Sequence, residues 1–344
     1  MSEVLKLVRE NIQKLTPYSS ARHEFKGNAD VFLDANENPF ETGLNRYPDP
    51  LQNALKIKLS GIKKTDPSTL FLGNGSDEAI DLLIRVFCEP KEDHILIVPP
   101  TYGMYKVCAD ISDVDVRQVQ LLTDFQLDVD GILKESNQHS KILFICSPNN
   151  PTGNLMAKED LARLLQDFPG ILVIDEAYID FCPDSSMVSM LSEYPKLVVL
   201  QTLSKAWGMA AIRLGIAIAS PEIITLLNAV KPPYNINKLT QQQALSFLDK
   251  ENEMQDFVRR SVEQRAKLSL EMSGLNYVLK VYPSDANFLL VKMKDPSFIF
   301  HSLIDQGIVV RDRSRQPLCE GCLRITVGTD RENDFLIETL KSLQ

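Results

Sequence analysis

Apolar residues recur with two different periods along the chain. The short runs Ile142-Leu143-Phe144-Ile145-Cys146, Ile171-Leu172-Val173-Ile174 and Leu197-Val198-Val199-Leu200 are unbroken and rich in β-branched residues. Such runs read as strands buried on both faces. Elsewhere the spacing is three or four, as in Ala79, Ile80, Leu82, Leu83, Val86 and Phe87, which predicts a helix with one apolar stripe. From about residue 69 to 219 the two patterns alternate. That alternation predicts an α/β fold, a mostly parallel sheet with helices on both faces.

Lys231-Pro232-Pro233-Tyr234 interrupts the alternation. Beyond it, residues 239–273 read as one long polar helix, 286–292 and 308–310 as strands, and 331–343 as a last helix. These form a smaller α+β domain. Val4, Leu5, Val8, Ile12 and Leu15 predict a helical stretch near the N-terminus, closed by Pro17. The expected division is a large domain over residues 30–235, with an N-terminal arm, 1–29, and 236–344 making the second unit. No internal repeat is present.

A chain of 344 residues, 44% of them hydrophobic, has enough apolar material for about two cores. Its 37 basic and 46 acidic residues give a net charge of −9 with no basic cluster, which argues against nucleic acid or an anionic membrane as partner. No apolar stretch has the length of a signal peptide core or a membrane span, so a cytoplasmic location is expected. Six cysteines lie scattered at 88, 108, 146, 182, 319 and 322, as expected for reduced thiols. Cys319 and Cys322 form a lone Cys-x-x-Cys without a second pair or clustered histidines, so no metal site is expected. No Gly-x-Ser-x-Gly is present to suggest a serine hydrolase.

Chemistry concentrates where strands end, the edge at which open α/β sheets bind ligands. After Leu197–Leu200 come Thr202, Ser204 and Lys205, with Arg213 eight residues further. A lysine amine there can bond an aldehyde cofactor, and the hydroxyls and guanidinium can hold its phosphate. Ser147-Pro148-Asn149-Asn150-Pro151-Thr152-Gly153 predicts a tight turn that fixes Asn149 or Asn150 as an amide donor. Asp175, at the next strand end and followed by Glu176 and Tyr178, can pair with a pyridinium nitrogen. Gly73-Asn74-Gly75-Ser76-Asp77-Glu78 precedes a helix, with Ser76 as the expected N-cap, and reads as a phosphate cradle. It lacks the third glycine of a dinucleotide fingerprint and the Gly-Lys-Ser/Thr of a P-loop.

In order and spacing these segments resemble the fold type I aminotransferases that use pyridoxal 5'-phosphate, within the class II family, and the likeness runs over nearly the whole chain. Further runs carry it: Leu15-Thr16-Pro17-Tyr18, Asp34-Ala35-Asn36-Glu37-Asn38-Pro39, Asn45-Arg46-Tyr47-Pro48, Pro99 through Tyr105, Gly307 through Asp312 and Cys322 through Gly328. The resemblance implies a transfer of amino groups between a phosphate-bearing amine and a 2-oxo acid by a ping-pong cycle. Lys205 is then the Schiff-base lysine and proton carrier. Asp175 pairs the pyridinium nitrogen, Asn149 and Tyr178 bind the phenolic oxygen, and Tyr102 stacks on the ring. Gly75, Ser76, Asp77, Thr202, Ser204 and Arg213 hold the phosphate. Tyr47 reaches it from the other subunit, so the resemblance implies a homodimer with shared active sites. Arg324, Arg311, Tyr18, Asn36, Asn287 and Tyr102 line the substrate pocket.

The family's usual Phe-Gly-Leu-Ala-Gly-Leu-Arg after the lysine is here Trp207-Gly208-Met209-Ala210-Ala211-Ile212-Arg213, with the lysine-to-arginine spacing intact. Trp207 reads as a packing residue. Two rival readings stay open: a decarboxylase or lyase of the same cofactor, or an aromatic amino acid aminotransferase. A binding module that kept the fold is a more distant third.

Overall fold

The computed structural model describes residues 2–18, 27 and 29–343. Its centre is a seven-stranded sheet in the order β1-β7-β6-β5-β4-β2-β3. The strands are β1 (Leu70–Asn74), β2 (His94–Ile97), β3 (Asp115–Gln118), β4 (Ser140–Cys146), β5 (Ile171–Asp175), β6 (Leu197–Thr202) and β7 (Leu214–Ala219). β2 through β6 pair in parallel, whereas β7 runs antiparallel to both β6 and β1. The mostly parallel sheet read from the sequence is therefore present, with one reversed strand. Reversal of β7 keeps β1 parallel to β6, so β1, β4, β5 and β6 all end on one edge.

Side chains alternate across each strand, and here both faces are covered. Leu172, Ile174, Leu197 and Val199 pack into the core on one side, while Ile171, Val173, Val198 and Leu200 pack on the other. This is why the strands read as continuous apolar runs. Full burial of each such side chain contributes on the order of 1.5–3 kcal/mol. Trp207 is buried in the first of these cores, as a packing residue should be.

A second sheet of four antiparallel strands, ordered β10-β11-β9-β8, comprises β8 (Val278–Val281), β9 (Phe288–Met293), β10 (Arg311–Asp312) and β11 (Cys322–Thr326). The helices Glu251–Ser273, Pro296–Asp305 and Asp330–Ser342 supply its core.

The structure corrects the sequence at four places. The long helix over 239–273 is two, Lys238–Leu248 and Glu251–Ser273. The first buries Ala244 and Leu248 in the large core, so a boundary at residue 236 falls too early. The strand expected at 308–310 is instead Arg311–Asp312, because pairing with β11 begins only at Arg311 and Val309 stays 84% exposed. The N-terminal stretch forms a 3-10 turn, Leu5–Leu7, and one helical turn, Glu10–Gln13. It sits on the large core through buried Val4 and Val8 and an Arg9–Glu89 ion pair of 3.0 Å, rather than on the small domain. Part of the arm over 1–29 lies outside the described residues.

All six cysteines are free, and Cys319 and Cys322 are core residues. Among the described residues, no group of acidic, histidine and cysteine side chains could hold a metal ion, and no helix is long and apolar enough to cross a membrane.

Candidate active site

A cleft of about 490 Å³ opens where β1, β4, β5 and β6 end, and the small sheet supplies Arg311, Arg313 and Arg324 to its lining. Of the residues singled out in the sequence, Gly75, Ser76, Asp77, Tyr102, Asp175, Tyr178, Thr202, Ser204, Lys205, Arg213, Arg311 and Arg324 line it together.

The cradle is built by close approach. The helix Gly75–Phe87 begins directly after β1, with no side-chain cap at its N-terminus. Gly75 N donates to Arg213 O at 3.0 Å, which leaves the N–H groups of the first turn from Ser76 onward to an anion. Ser76 lies inside that turn and is not the N-cap, because the helix starts one residue before it. Gly75 has φ +71°, and a Cβ there would stand 2.7 Å from Arg213 Nη2. A Cβ on Gly215 would fall 2.1 Å from Ser76 N, so the turn packs directly against β7. Arg213, itself at φ +54°, aims at the same space and lies 3.6 Å from Asp77 Oδ2. Ser204 Oγ accepts from Arg213 Nη1 at 3.4 Å, and Ser204 N donates to Thr202 Oγ1 at 3.1 Å.

Asp175 is 2% exposed. Its Oδ2 accepts from Tyr105 Oη at 2.7 Å, and its Oδ1 from Ala177 N at 3.1 Å. Both donors are neutral. Burial pushes the acid up to about 6, and the two hydrogen bonds oppose that rise only in part. Tyr105 is itself fully buried and stacks on Phe144 with centroids 4.7 Å apart.

Lys205 opens into the cleft with Nζ 5.5 Å from the centre of the Tyr178 ring. Enclosure by the cleft walls, followed by the positive charge of Arg324, lowers its pKa. Tyr178 is buried, and its phenol is held above the ordinary range by that burial. Its hydroxyl accepts from Asn150 Nδ2 at 3.3 Å, and Asn150 Oδ1 in turn accepts from Arg324 Nη1. Arg324 also lies over the Phe288 ring at 5.3 Å. Tyr102 Oη donates to Asp77 Oδ1 at 3.0 Å.

The other expected residues stand elsewhere. Asn149 is completely buried behind the turn, where its Nδ2 donates to Pro100 O and Thr152 Oγ1. The choice of Asn149 as the amide facing the site is corrected: the turn delivers Asn150 to the cleft, while Asn149 ties the turn to the Pro100 carbonyl and the Thr152 hydroxyl. Tyr47 is half exposed and stacks on Tyr234 with centroids 4.4 Å apart. Tyr18 and Asn36 are exposed, and Asn287 is half-buried beside β9; none of the three lines the cleft. Sequence reasoning missed Tyr105, Cys146 and Arg313. Tyr105 lies in the first turn of the helix Met104–Ile111, and its ring meets that of Tyr102, just ahead of the helix, edge-on at 5.5 Å.

The site's chemistry fits a phosphate-bearing aldehyde with a basic ring nitrogen. The space that a Cβ on Gly75 would fill lies beside the Arg213 guanidinium, with Asp77 Oδ2 at 3.7 Å, at the start of an uncapped helix; guanidinium and helix N-terminus together suit a phosphate. A buried carboxylate whose hydrogen-bond donors are neutral fits a protonated ring nitrogen. Lys205, with a depressed pKa, fits a nucleophilic amine.

Comparison with known proteins agrees with that fit. The family model "aminotransferase class I and II" matches residues 28–340. A histidinol-phosphate aminotransferase of Cytophaga hutchinsonii is 53% identical, covering 98% of each chain. One from Parabacteroides distasonis is 51% identical over the whole of both chains. Among solved structures, the histidinol-phosphate aminotransferase of Clostridium acetobutylicum superposes with a TM-score of 0.81 at 26% identity, covering 88% of this chain and 91% of that one. In fold the chain also resembles the Sinorhizobium meliloti enzyme solved with pyridoxal-5'-phosphate, with a TM-score of 0.79 at 23% identity, covering 87% of this chain and 84% of that one.

Proposed function

The chain belongs to the class I and II aminotransferase family and is a pyridoxal-phosphate-dependent aminotransferase; from that premise, we propose the substrates and the part each residue plays. The reaction exchanges an amino group between L-histidinol phosphate and 2-oxoglutarate, giving imidazole acetol phosphate and glutamate in histidine biosynthesis. One observation carries the reading: a single cleft joins Lys205, Asp175 and the Gly75 cradle to arginines from the small sheet. The 53% and 51% identical relatives, both histidinol-phosphate aminotransferases, support the choice of substrate.

When bound, pyridoxal phosphate supplies an aldehyde for the amine and a ring that draws electrons from the amine's Cα. Ser76, Asp77, Thr202, Ser204 and Arg213 hold the phosphate through backbone N–H groups, hydroxyls and guanidinium. Asp175 stays ionised against the ring nitrogen and keeps it protonated. Tyr178 accepts from Asn150, which leaves its own proton to donate to the phenolic oxygen. Tyr102 covers one ring face. Lys205 Nζ, made less basic by its surroundings, would move the proton between Cα of the amine and C4′ of the cofactor. Arg324 and Arg311 hold the distal anion of either substrate, so the two occupy one pocket in turn, as a ping-pong order requires.

The protein acts as a cytoplasmic homodimer in which Tyr47 of one subunit completes the phosphate site of the other. Tyr18, Asn36 and Asn287, away from the cleft here, join the substrate pocket within that assembly.

The test is product analysis with pure protein, pyridoxal phosphate, histidinol phosphate and 2-oxoglutarate. Stoichiometric glutamate is expected. Carbon dioxide or ammonia from a phosphorylated amino acid, with no glutamate, would overturn the reading, and preference for phenylalanine or tyrosine would replace the substrate.

A further inference from the structure

Arg311 and Arg324 stand directly opposite each other in the β10–β11 ladder. Arg313 follows two residues after Arg311, and its N–H donates to Cys322 O, so the ladder geometry continues to it. Residues two apart on an extended strand share a face. All three side chains consequently line the same cleft.

None of the three pairs with a carboxylate among the described residues. Arg324 Nη1 donates to the neutral Asn150, whereas Arg313 Nε is buried with no partner. The other groups near Arg313 offer little compensation. Asp312, on the alternate strand position, is exposed, and both the Cys319 thiol and the Tyr178 phenol are held protonated by burial. Three like charges converging without counter-charge disfavour one another, and burial together with Arg311 weakens Arg313 further. Such an arrangement is suited to a ligand bearing two negative charges. A carboxylate brings one; a phosphate monoester brings nearly two at neutral pH, with three acceptor oxygens.

We propose that Arg313 is a specificity-determining residue, the third guanidinium that makes the substrate pocket prefer a phosphate dianion over a carboxylate. The proposal rests on the reading that the amine substrate is a phosphate monoester. It assigns Arg313 a task that Arg311 and Arg324 alone do not perform, since those two must also receive the single carboxylate of glutamate's side chain.

The experiment uses cofactor-loaded protein and two unreactive probes, propyl phosphate and butyrate, with dissociation constants from calorimetry at pH 5 to 8. Arg313→Gln should weaken propyl phosphate by roughly 10- to 100-fold, the range of one charged hydrogen-bonded contact, and butyrate by less than about threefold. Wild-type affinity for propyl phosphate should rise as the second proton leaves, near pH 6, and that rise should shrink in the variant. Arg313→Lys, which keeps the charge but not the fork, should fall between the two; it serves as the decisive variant if the glutamine protein does not fold. Equal loss for both probes, or no loss for propyl phosphate, overturns the proposal. Failure of the wild type to turn over histidinol phosphate would overturn the functional reading instead, while the probe comparison would still decide the role of Arg313.

Discussion

Tyr105 Oη donates a 2.7 Å hydrogen bond to Asp175 Oδ2, and both side chains lie almost wholly out of water. The tyrosine is thus the main specific contact that keeps the buried acid ionised. Burial has raised Asp175 to about 6 from an ordinary 3.8, so the folded protein binds this proton more tightly than the unfolded chain does. Its contribution to the stability of the cofactor-free protein is therefore full below about pH 3.8 and is lost as pH rises through about 6. A hydrogen bond to a charged group contributes about 1.5–3 kcal/mol, equivalent to roughly one to two pH units. Tyr105→Phe should accordingly move the Asp175 midpoint up by roughly one to two units, read from carboxyl carbon NMR of the cofactor-free protein. An unchanged midpoint would show that the bond does not control the acid.

Lys205→Ala removes the only amine that the cleft presents among the described residues. Turnover should fall by about 10⁴-fold or more, because one group serves as covalent anchor and proton carrier. The cradle is untouched, so equilibrium dialysis should still detect pyridoxal phosphate, and its imine absorbance should disappear. Near-normal rates in single-turnover experiments would remove Lys205 from the mechanism.

Gly215→Ala places a methyl group 2.1 Å from Ser76 N, where the neighbour is backbone that cannot step aside. The cradle must shift, at an overpacking cost of about 1–3 kcal/mol. Cofactor affinity should drop by roughly tenfold or more, since the displaced N–H groups are those facing the phosphate. Fluorescence titration with pyridoxal phosphate, beside a melting curve, separates the two effects. Unchanged affinity in a folded variant would mean that the phosphate sits elsewhere.

Tyr47, stacked on Tyr234 and away from the cleft of its own chain, gives the shared-site proposal a direct test. Tyr47→Ala and Lys205→Ala proteins should each be poor enzymes alone. If Tyr47 acts across the interface, unfolding and refolding them together creates hybrid dimers with one intact site of two, restoring about a quarter of wild-type activity at random mixing. No recovery in hybrids isolated by differential tags would place Tyr47 in its own subunit's site, or in none.

Much of this protein was decided by local sequence. Continuous apolar strands such as Ile171–Ile174 specify burial on both faces, and only an α/β sheet with two helical layers supplies that. Because such a sheet exposes its strand ends at one edge, Asp175, Thr202, Ser204 and Lys205 are legible as neighbours from the strand pattern alone. The Gly75 turn was legible for the same reason: a glycine before an apolar helical stripe marks a close approach.

Tertiary structure decided what no local pattern encodes. Reversal of β7 and the placement of Gly215 against Ser76 depend on which strands pair. The selection of Asn150 over Asn149 depends on which amide the Pro100 carbonyl, 49 residues away in sequence, and the Thr152 hydroxyl consume. Tyr105 becomes a partner of Asp175 only because its helix packs across the sheet and buries both. The convergence of Arg311, Arg313 and Arg324 on Lys205 joins residues more than a hundred positions apart, a relation set by the docking of the small sheet on the large one. Sequence by itself thus determined the kinds of groups available at the strand ends. Packing determined their distances and dielectric surroundings, and these set the charge each group carries.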